Sequence, residues 1–318
     1  MFNLCERGAS MEMRRVFVDT LLSLMEQNGK IVAQEADLGT ASSFIRIQER
    51  FPDRYIDMGI AEANMIGVAA GLSMRGFIPF VHSFSPFVSR RVGDQLFLEG
   101  AYARNTINIY ASDPGVCAAS NGGTHTTFED MALLRAIPTV QVFDPADGVQ
   151  LEWLIHTVAD LKGVHYIRTN RKEMSQIYTA GSTFAIGRGN VLRPGEDVLL
   201  IAAGELLRPA LDAAETLQAQ GISAEVIDMF TVKPLDHALI LQEAKGKKRI
   251  ITAENHSVIG GLGSAVAETL AEAGCGVPLT RVGVEDRFGQ VGSFEFLKKD
   301  YGLTPEHIVS AAQRIREN

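Results

Sequence analysis

Residues 54–71 read RYIDMGIAEANMIGVAAG. A short strand over 54–57 runs here into an almost uniformly apolar or small-residue helix over 61–75, the strand-to-helix unit from which parallel sheets are assembled. One carboxylate interrupts the run, Glu62. Its neighbours from Ile60 to Gly71, Asn64 excepted, suit burial. An ionised carboxylate in such a setting loses hydration, which favours the protonated, hydrogen-bond-donating form, and an acid kept dry usually has a function. A second reading places Glu62 in the first helical turn at the edge of solvent, complementing the macrodipole. This segment alone leaves both open.

Outward from it, apolar runs alternate with helical patterns along the whole chain, the signature of α/β architecture. Strands are expected over 31–34, 54–57, 78–81, 107–112, 139–143 and 164–168, with helices over 14–28, 43–51, 61–75, 85–98, 127–136 and 147–161. A turn-rich passage, roughly 172–196, reads as a linker with a hairpin. Alternation then resumes, with strands over 198–203, 224–228 and 249–253, helices over 206–218 and 261–273, and a closing helix after a Thr304 cap. The expectation is two parallel-sheet α/β domains: an extension over 1–12, a first domain over 13–175, a linker over 176–195 and a smaller second domain over 196–318.

The chain has 318 residues, 46% of them hydrophobic, enough for two packed cores. A net charge of -8 without basic runs argues against nucleic-acid binding. The absence of a long apolar stretch and of a secretory leader in MFNLCERGAS points to the cytoplasm. Three scattered cysteines, Cys5, Cys117 and Cys275, give neither a disulfide framework nor zinc spacing, and Cys117 reads as a structural thiol.

In open parallel sheets ligands collect at the carboxyl ends of strands. After the strand ending at Val81 comes HSFSPFVSRR, where Phe84 and Phe87 stand three apart at a helix start and can face one planar ligand; ordinary core packing gives the same spacing. After Ser112 comes DPGVCAASNGGTHTTFED, a long loop carrying His125 behind Gly122 and Gly123. Those glycines let backbone approach a ligand closely, which makes His125 a catalytic candidate.

RYIDMGIAEANMIGVAAGL, FSPF, GGTHTTFEDMALLRAIP and VFDPAD, in this order, resemble the carboxyl-terminal half of a transketolase, a thiamine-diphosphate enzyme. The resemblance runs from about Met13 to the C-terminus and includes ITAENHSVIGGLGSAVAETL and RVGVEDRFGQVG in the second domain. It implies a pyrimidine-binding domain followed by a transketolase C-terminal domain. GGLGSAV reads as a close strand–helix packing turn rather than a dinucleotide site, because the strict fingerprint and its acidic partner are absent.

The GDG-type motif that binds magnesium and diphosphate in whole transketolases has no counterpart here. The resemblance therefore implies an N-terminal partner subunit holding Mg2+ or Ca2+ and the diphosphate, thiamine diphosphate shared across the interface, and a heterotetramer with two copies of each chain. By resemblance, Glu62 donates a proton to the cofactor pyrimidine, Phe84 and Phe87 form its stacking wall with Ile60, and His125 acts on donor oxygens. Arg168 matches the position that binds the substrate phosphate; a solvated strand-end arginine is the other reading. His82, Asn121 and Asp113 complete the expected substrate set.

Three departures bear on the substrate. Asn121 stands where transketolases usually have Asp, Asp113 where they usually have a phosphate-contacting His, and Ala41 where a serine is expected, with Ser42 or Ser43 as near substitutes. A carboxylate at Asp113 would repel a phosphate. The expectation is two-carbon ketol transfer from an atypical ketose, differently configured, branched or sulfonated, with xylulose 5-phosphate a poor donor. The alternatives are the beta subunit of a 2-oxo-acid dehydrogenase, and a non-catalytic binding protein that kept the fold.

Overall fold

The computed structural model describes residues 1–313. Residues 1–114 and 133–184 form one compact unit, and residues 115–132 with 185–313 form another. Both are α/β with mostly parallel strands, as the alternation predicts. The division differs from a single cut after the first domain, because the glycine-containing loop after Ser112 goes with the second unit.

The strands of the first unit are β1 (Ser10–Glu12), β2 (Ile31–Glu35), β3 (Tyr55–Asp57), β4 (Ile78–Phe84), β5 (Ile107–Ser112), β6 (Gln141–Phe143), β7 (Val164–Thr169) and β8 (Glu173–Ser175). Six of them run parallel in the order β6-β7-β5-β4-β2-β3. Every residue of β2, β5 and β7 is buried, as a sheet covered on both faces requires. Helices α1 (Met13–Gln27), α2 (Gly39–Ser42), α3 (Ile45–Arg50), α4 (Glu62–Met74), α5 (Gly93–Gln95), the last four residues of α6 (Asp130–Ala136) and α7 (Gly148–Ala159) accompany them. In α1 the buried Met13, Phe17, Leu21 and Met25 recur every fourth residue and make one apolar stripe. Phe17 stacks on Tyr110 of β5 with ring centroids 4.2 Å apart.

The second unit contains β9 (Asn190–Arg193), β10 (Val198–Ala202), β11 (Ala224–Asp228), β12 (Thr231–Lys233), β13 (Arg249–Ser257) and β14 (Leu279–Val284). Its five-stranded sheet has the order β14-β13-β10-β11-β9, parallel except for β9. Its helices are α8 (Leu207–Ala219), α9 (His237–Glu243), α10 (Leu262–Glu272), α11 (Phe294–Asp300) and α12 (Pro305–Gln313). In the GGLGSAV turn Glu254 accepts the N–H groups of Leu262 (2.7 Å) and Gly263 (2.8 Å). A Cβ at Gly261 would collide with that carboxylate. The helix start is thus filled by the protein's own acid, which supports the packing-turn reading.

Three local expectations are corrected. The helix over 85–98 is instead a turn after β4, a 3-10 turn (Arg90–Val92), α5 and a π-helix (Leu96–Tyr102). The Ser85 N–H donates to Ser112 O (2.9 Å), and the Ser89 hydroxyl takes Ser85 O, so the backbone groups a helix would use are engaged elsewhere. The helix expected over 43–51 is present as α3, and Ser43 at φ 69° separates it from the short α2 that precedes it. Residues 172–196 form no hairpin, because β8 pairs with β1 and β9 with β11. Residues 10–12, expected in an extension, are a paired strand of the first unit. Among the described residues no helix is long and apolar enough to cross a membrane.

Candidate active site

Glu62 opens α4 and is 3% exposed, so it is both a first-turn acid and a buried one. Its surroundings are less apolar than the sequence suggests. The Ser83 hydroxyl donates to Oε1 (3.3 Å) and Arg91 Nη1 donates to Oε2 (2.7 Å). The isolated, neutral carboxyl expected from residues 60–71 is thus replaced by an ion-paired one. Phe84 ends β4 and Phe87 sits in the turn after it, with ring centroids 6.2 Å apart and planes at 80°. They meet edge to face rather than presenting two coplanar faces. Arg91 lies over the Phe87 ring at 4.0 Å and Arg171 over the Phe84 ring at 4.6 Å. Ile60, placed with this wall by resemblance, is 76% exposed in the loop before α4.

Arg168 and Asp113 take different places from those expected. Arg168, inside β7, is wholly buried and donates from Nη1 to Asp144 Oδ2 (2.7 Å), so it offers no accessible donor to a substrate anion in this chain. Asp113 follows β5 at φ 52° and is also buried. Its carboxylate accepts the Arg171 N–H (2.9 Å) and Arg171 Nε (2.7 Å). Its charge is therefore met within the chain, and the repulsion expected of a bare carboxylate is corrected by this pairing. His82 is wholly buried in β4, with Nε2 3.0 Å from Ser112 Oγ and Nδ1 3.8 Å from Glu35 Oε2. Burial lowers its pKa below the ordinary imidazole value, with Glu35 opposing, so the ring is neutral and out of a substrate's reach. Ser42 is buried and spends its hydroxyl on Leu38 O (3.1 Å), so it does not replace the serine missing at Ala41.

Asn121 and His125 lie in the loop that belongs to the second unit, Asn121 exposed and His125 half-buried. His125 Nδ1 is 3.0 Å from Thr124 Oγ1. Strand β13 holds this loop. Asn255 Oδ1 accepts the Val116 N–H (3.0 Å), Asn255 Nδ2 lies 3.4 Å from Cys117 Sγ, and the Ser257 N–H donates to Phe128 O (2.8 Å). The glycines before His125 serve packing rather than ligand approach: a Cβ at Gly123 would come within 2.6 Å of Gly289 O, and one at Gly122 within 2.7 Å of Val291 Cγ2. Arg91, Arg171 and Asn255 escaped the sequence reading. The pairs FVSRR and RTNRK show that cations are present, but partners 29, 58 and 139 residues away leave no periodic trace.

The residues present fit an aminopyrimidine. The Phe87 ring already carries the flat guanidinium of Arg91, which also bonds the buried Glu62 carboxylate. Glu62, Phe84 and Phe87 would hold such a ring. Among the described residues no cluster of His, Cys, Asp and Glu is arranged to bind a metal ion.

Two family models cover nearly the whole chain: "Transketolase, pyrimidine binding domain" over residues 9–176 and "Transketolase, C-terminal domain" over residues 187–308. The chain is 47% identical to the 6-deoxy-6-sulfo-D-fructose transketolase subunit SqwH of Clostridium sp. (strain MSTE9), across 96% of this chain and 94% of that one. It is 34% identical to the 1-deoxy-D-xylulose-5-phosphate synthase of Heliobacterium modesticaldum across 95% of its own length but 47% of that enzyme's. A solved structure described as "Split gene transketolase, inactive beta4 tetramer" superposes with a TM-score of 0.87 at 39% identity, covering 97% of this chain and 98% of that chain.

Proposed function

The chain belongs to the transketolase family of thiamine-diphosphate enzymes, and on that footing we propose that it is the C-terminal subunit of a two-chain transketolase. With an N-terminal partner that holds the diphosphate and Mg2+ or Ca2+, two copies of each chain form the active heterotetramer. The reaction is transfer of a two-carbon ketol unit from an acidic-tailed ketose to an aldose. Its donor is of the kind named for the Clostridium relative, 6-deoxy-6-sulfo-D-fructose. The observation that carries this reading is the buried Glu62 carboxyl beside the Phe84 and Phe87 rings, in a chain matched along 94% of a transketolase subunit.

Thiamine diphosphate, when bound, supplies the nucleophilic carbon that takes up the two-carbon unit. The chain's own part is orientation and proton handling. Phe84 and Phe87 give a flat heteroaromatic ring a face to stack on. Once the Arg91 guanidinium gives way, the Glu62 carboxyl takes a proton from solvent and offers it to a ring nitrogen at the oxygen Arg91 held, while Ser83 keeps the other. His125 acts as donor or acceptor to the hydroxyl and carbonyl oxygens of the sugar. The split-gene neighbour is a beta4 tetramer described as inactive, which supports partner dependence here.

The test is reconstitution. The purified chain alone is expected to bind thiamine diphosphate poorly and to turn over no ketose, and co-expression with an N-terminal transketolase subunit is expected to restore ketol transfer. Robust turnover by the single chain overturns the partner requirement, and decarboxylation of 2-oxo acids by the complex overturns the reaction class.

A further inference from the structure

Four neighbouring strands, β7, β5, β4 and β2, deliver residues from their carboxyl ends to one place: Arg171, Asp113, Phe84 and the Ala41 carbonyl. Asp113 fixes Arg171 at two points, accepting its N–H (2.9 Å) and Nε (2.7 Å). Nη1 donates to Ala41 O (3.2 Å), an oxygen that also accepts from Arg14 Nη1 (3.1 Å). The guanidinium carbon Cζ lies 4.6 Å from the Phe84 ring centroid. Among the described residues nothing engages Nη2, and the side chain is 15% exposed. A planar cation held through Nε and Nη1, with both N–H groups of Nη2 open, is a directed donor to an oxyanion. Arg168, three residues earlier, is spent on Asp144 and buried.

We propose that Arg171, aimed by Asp113, reads the acidic tail of the donor ketose and sets the enzyme's preference for a singly charged sulfonate over a doubly charged phosphate ester. This rests on the transketolase reading of the chain. Arg171 is the specificity-determining group and Asp113 a positioning residue. The Asp113 carboxylate already compensates most of the guanidinium charge, so what remains is a pair of N–H donors with little excess positive charge. That arrangement suits a sulfonate, which has three acceptor oxygens and one negative charge. A phosphate dianion brings a second charge that the Asp113 carboxylate opposes.

The experiment uses the reconstituted two-chain complex with three donors: 6-deoxy-6-sulfo-D-fructose, D-fructose 6-phosphate and the tail-less, uncharged L-erythrulose. Arg171→Gln is expected to lower kcat/KM for the sulfo sugar by about 10–100-fold through KM, the range of one charged hydrogen-bonding contact, and to leave L-erythrulose within about twofold. Arg171→Lys is expected to recover part of the loss. Asp113→Asn is expected to raise KM for the sulfo sugar with kcat unchanged, and to narrow its advantage over fructose 6-phosphate. An equal fall for all three donors in Arg171→Gln, or no fall for the sulfo sugar, overturns the proposal. Calorimetric binding of the sulfo sugar to the same complexes separates the two readings. Arg171-dependent binding without turnover overturns the transferase reading and keeps the tail site, whereas turnover with Arg171-independent binding does the reverse.

Discussion

Arg91 joins the Glu62 carboxylate to the Phe87 ring: its Nη1 donates to Oε2 at 2.7 Å while its guanidinium lies 4.0 Å from the ring centroid. One side chain thus occupies both the acid and part of the aromatic wall. The Glu62 end of that contact is buried and the Arg91 end is substantially exposed. The guanidinium can therefore leave toward solvent without opening the core, while Glu62 is fixed by the start of α4. An aminopyrimidine taking its place would find the acid already oriented.

Replacing Glu62 with Gln keeps the shape, an oxygen to accept from Arg91 and an NH2 that can donate to the Ser83 hydroxyl, but removes the acid. In the reconstituted complex turnover is expected to fall by roughly 10²–10⁴-fold, the usual contribution of a positioned acid or base, with the melting temperature little changed. Near-normal turnover returns Glu62 to a purely structural first-turn role.

Asn255→Ala removes the acceptor of the buried Val116 N–H and the group beside Cys117. An orphaned buried donor costs about 1–3 kcal/mol, concentrated in the loop that carries Asn121 and His125. Amide exchange over residues 115–121 is expected to accelerate, and kcat to drop although Asn255 touches no substrate. Unchanged exchange in that segment would show that β13 is not what holds the loop.

His165, wholly buried in β7 with Nδ1 2.7 Å from Asn108 Oδ1, has its pKa lowered by burial from 6.5 to about 4. The folded protein keeps this ring neutral where the unfolded chain takes up a proton. Its contribution is therefore fully present above about pH 6.5 and is lost as pH falls toward about 4, by about 3 kcal/mol from the size of that shift. His82 shifts in the same direction for the same reason. Denaturant titrations at pH 7 and pH 4 are expected to show wild type losing more stability than His165→Gln across that interval, and parallel losses would sink the assignment.

Periodicity made the sheets legible. Strands such as INIYAS (107–112) and AEVID (224–228) lie where the pattern puts them, because continuous burial leaves a continuous apolar signal. Local hydrogen bonding defeated the pattern at 85–98, where serine hydroxyls and the cross-strand Ser112 carbonyl outcompete a helix. Within the site, the aromatic pair and the acid were readable because their types are unusual in their places. Their arginine partners were not, since an arginine pairing across 29 or 58 residues looks like any surface cation until the fold brings it home.

Two of the three departures from the transketolase pattern, Asn121 and Asp113, look equivalent in sequence, and the structure separates them. Asn121 is exposed on its loop, so Asn121→Asp is expected to leave stability within about 0.5 kcal/mol, as surface changes usually do. It replaces an amide donor with an acceptor. A mismatched hydrogen bond of about 1–3 kcal/mol implies a shift of tenfold or more in preference among ketoses differing at one hydroxyl. Asp113 is buried against Arg171 and accepts from both its backbone and its side chain. An imidazole cannot accept both bonds, so Asp113→His is expected to cost about 1–3 kcal/mol and to release the Arg171 side chain. Restoring both family residues should therefore not restore an ordinary pentose-phosphate enzyme: the double variant is expected to melt below Asn121→Asp and to gain less with xylulose 5-phosphate than that single change does. A double variant as stable as wild type and tenfold better on xylulose 5-phosphate would show that Asp113 acts on the substrate directly, and that its contact with Arg171 is incidental.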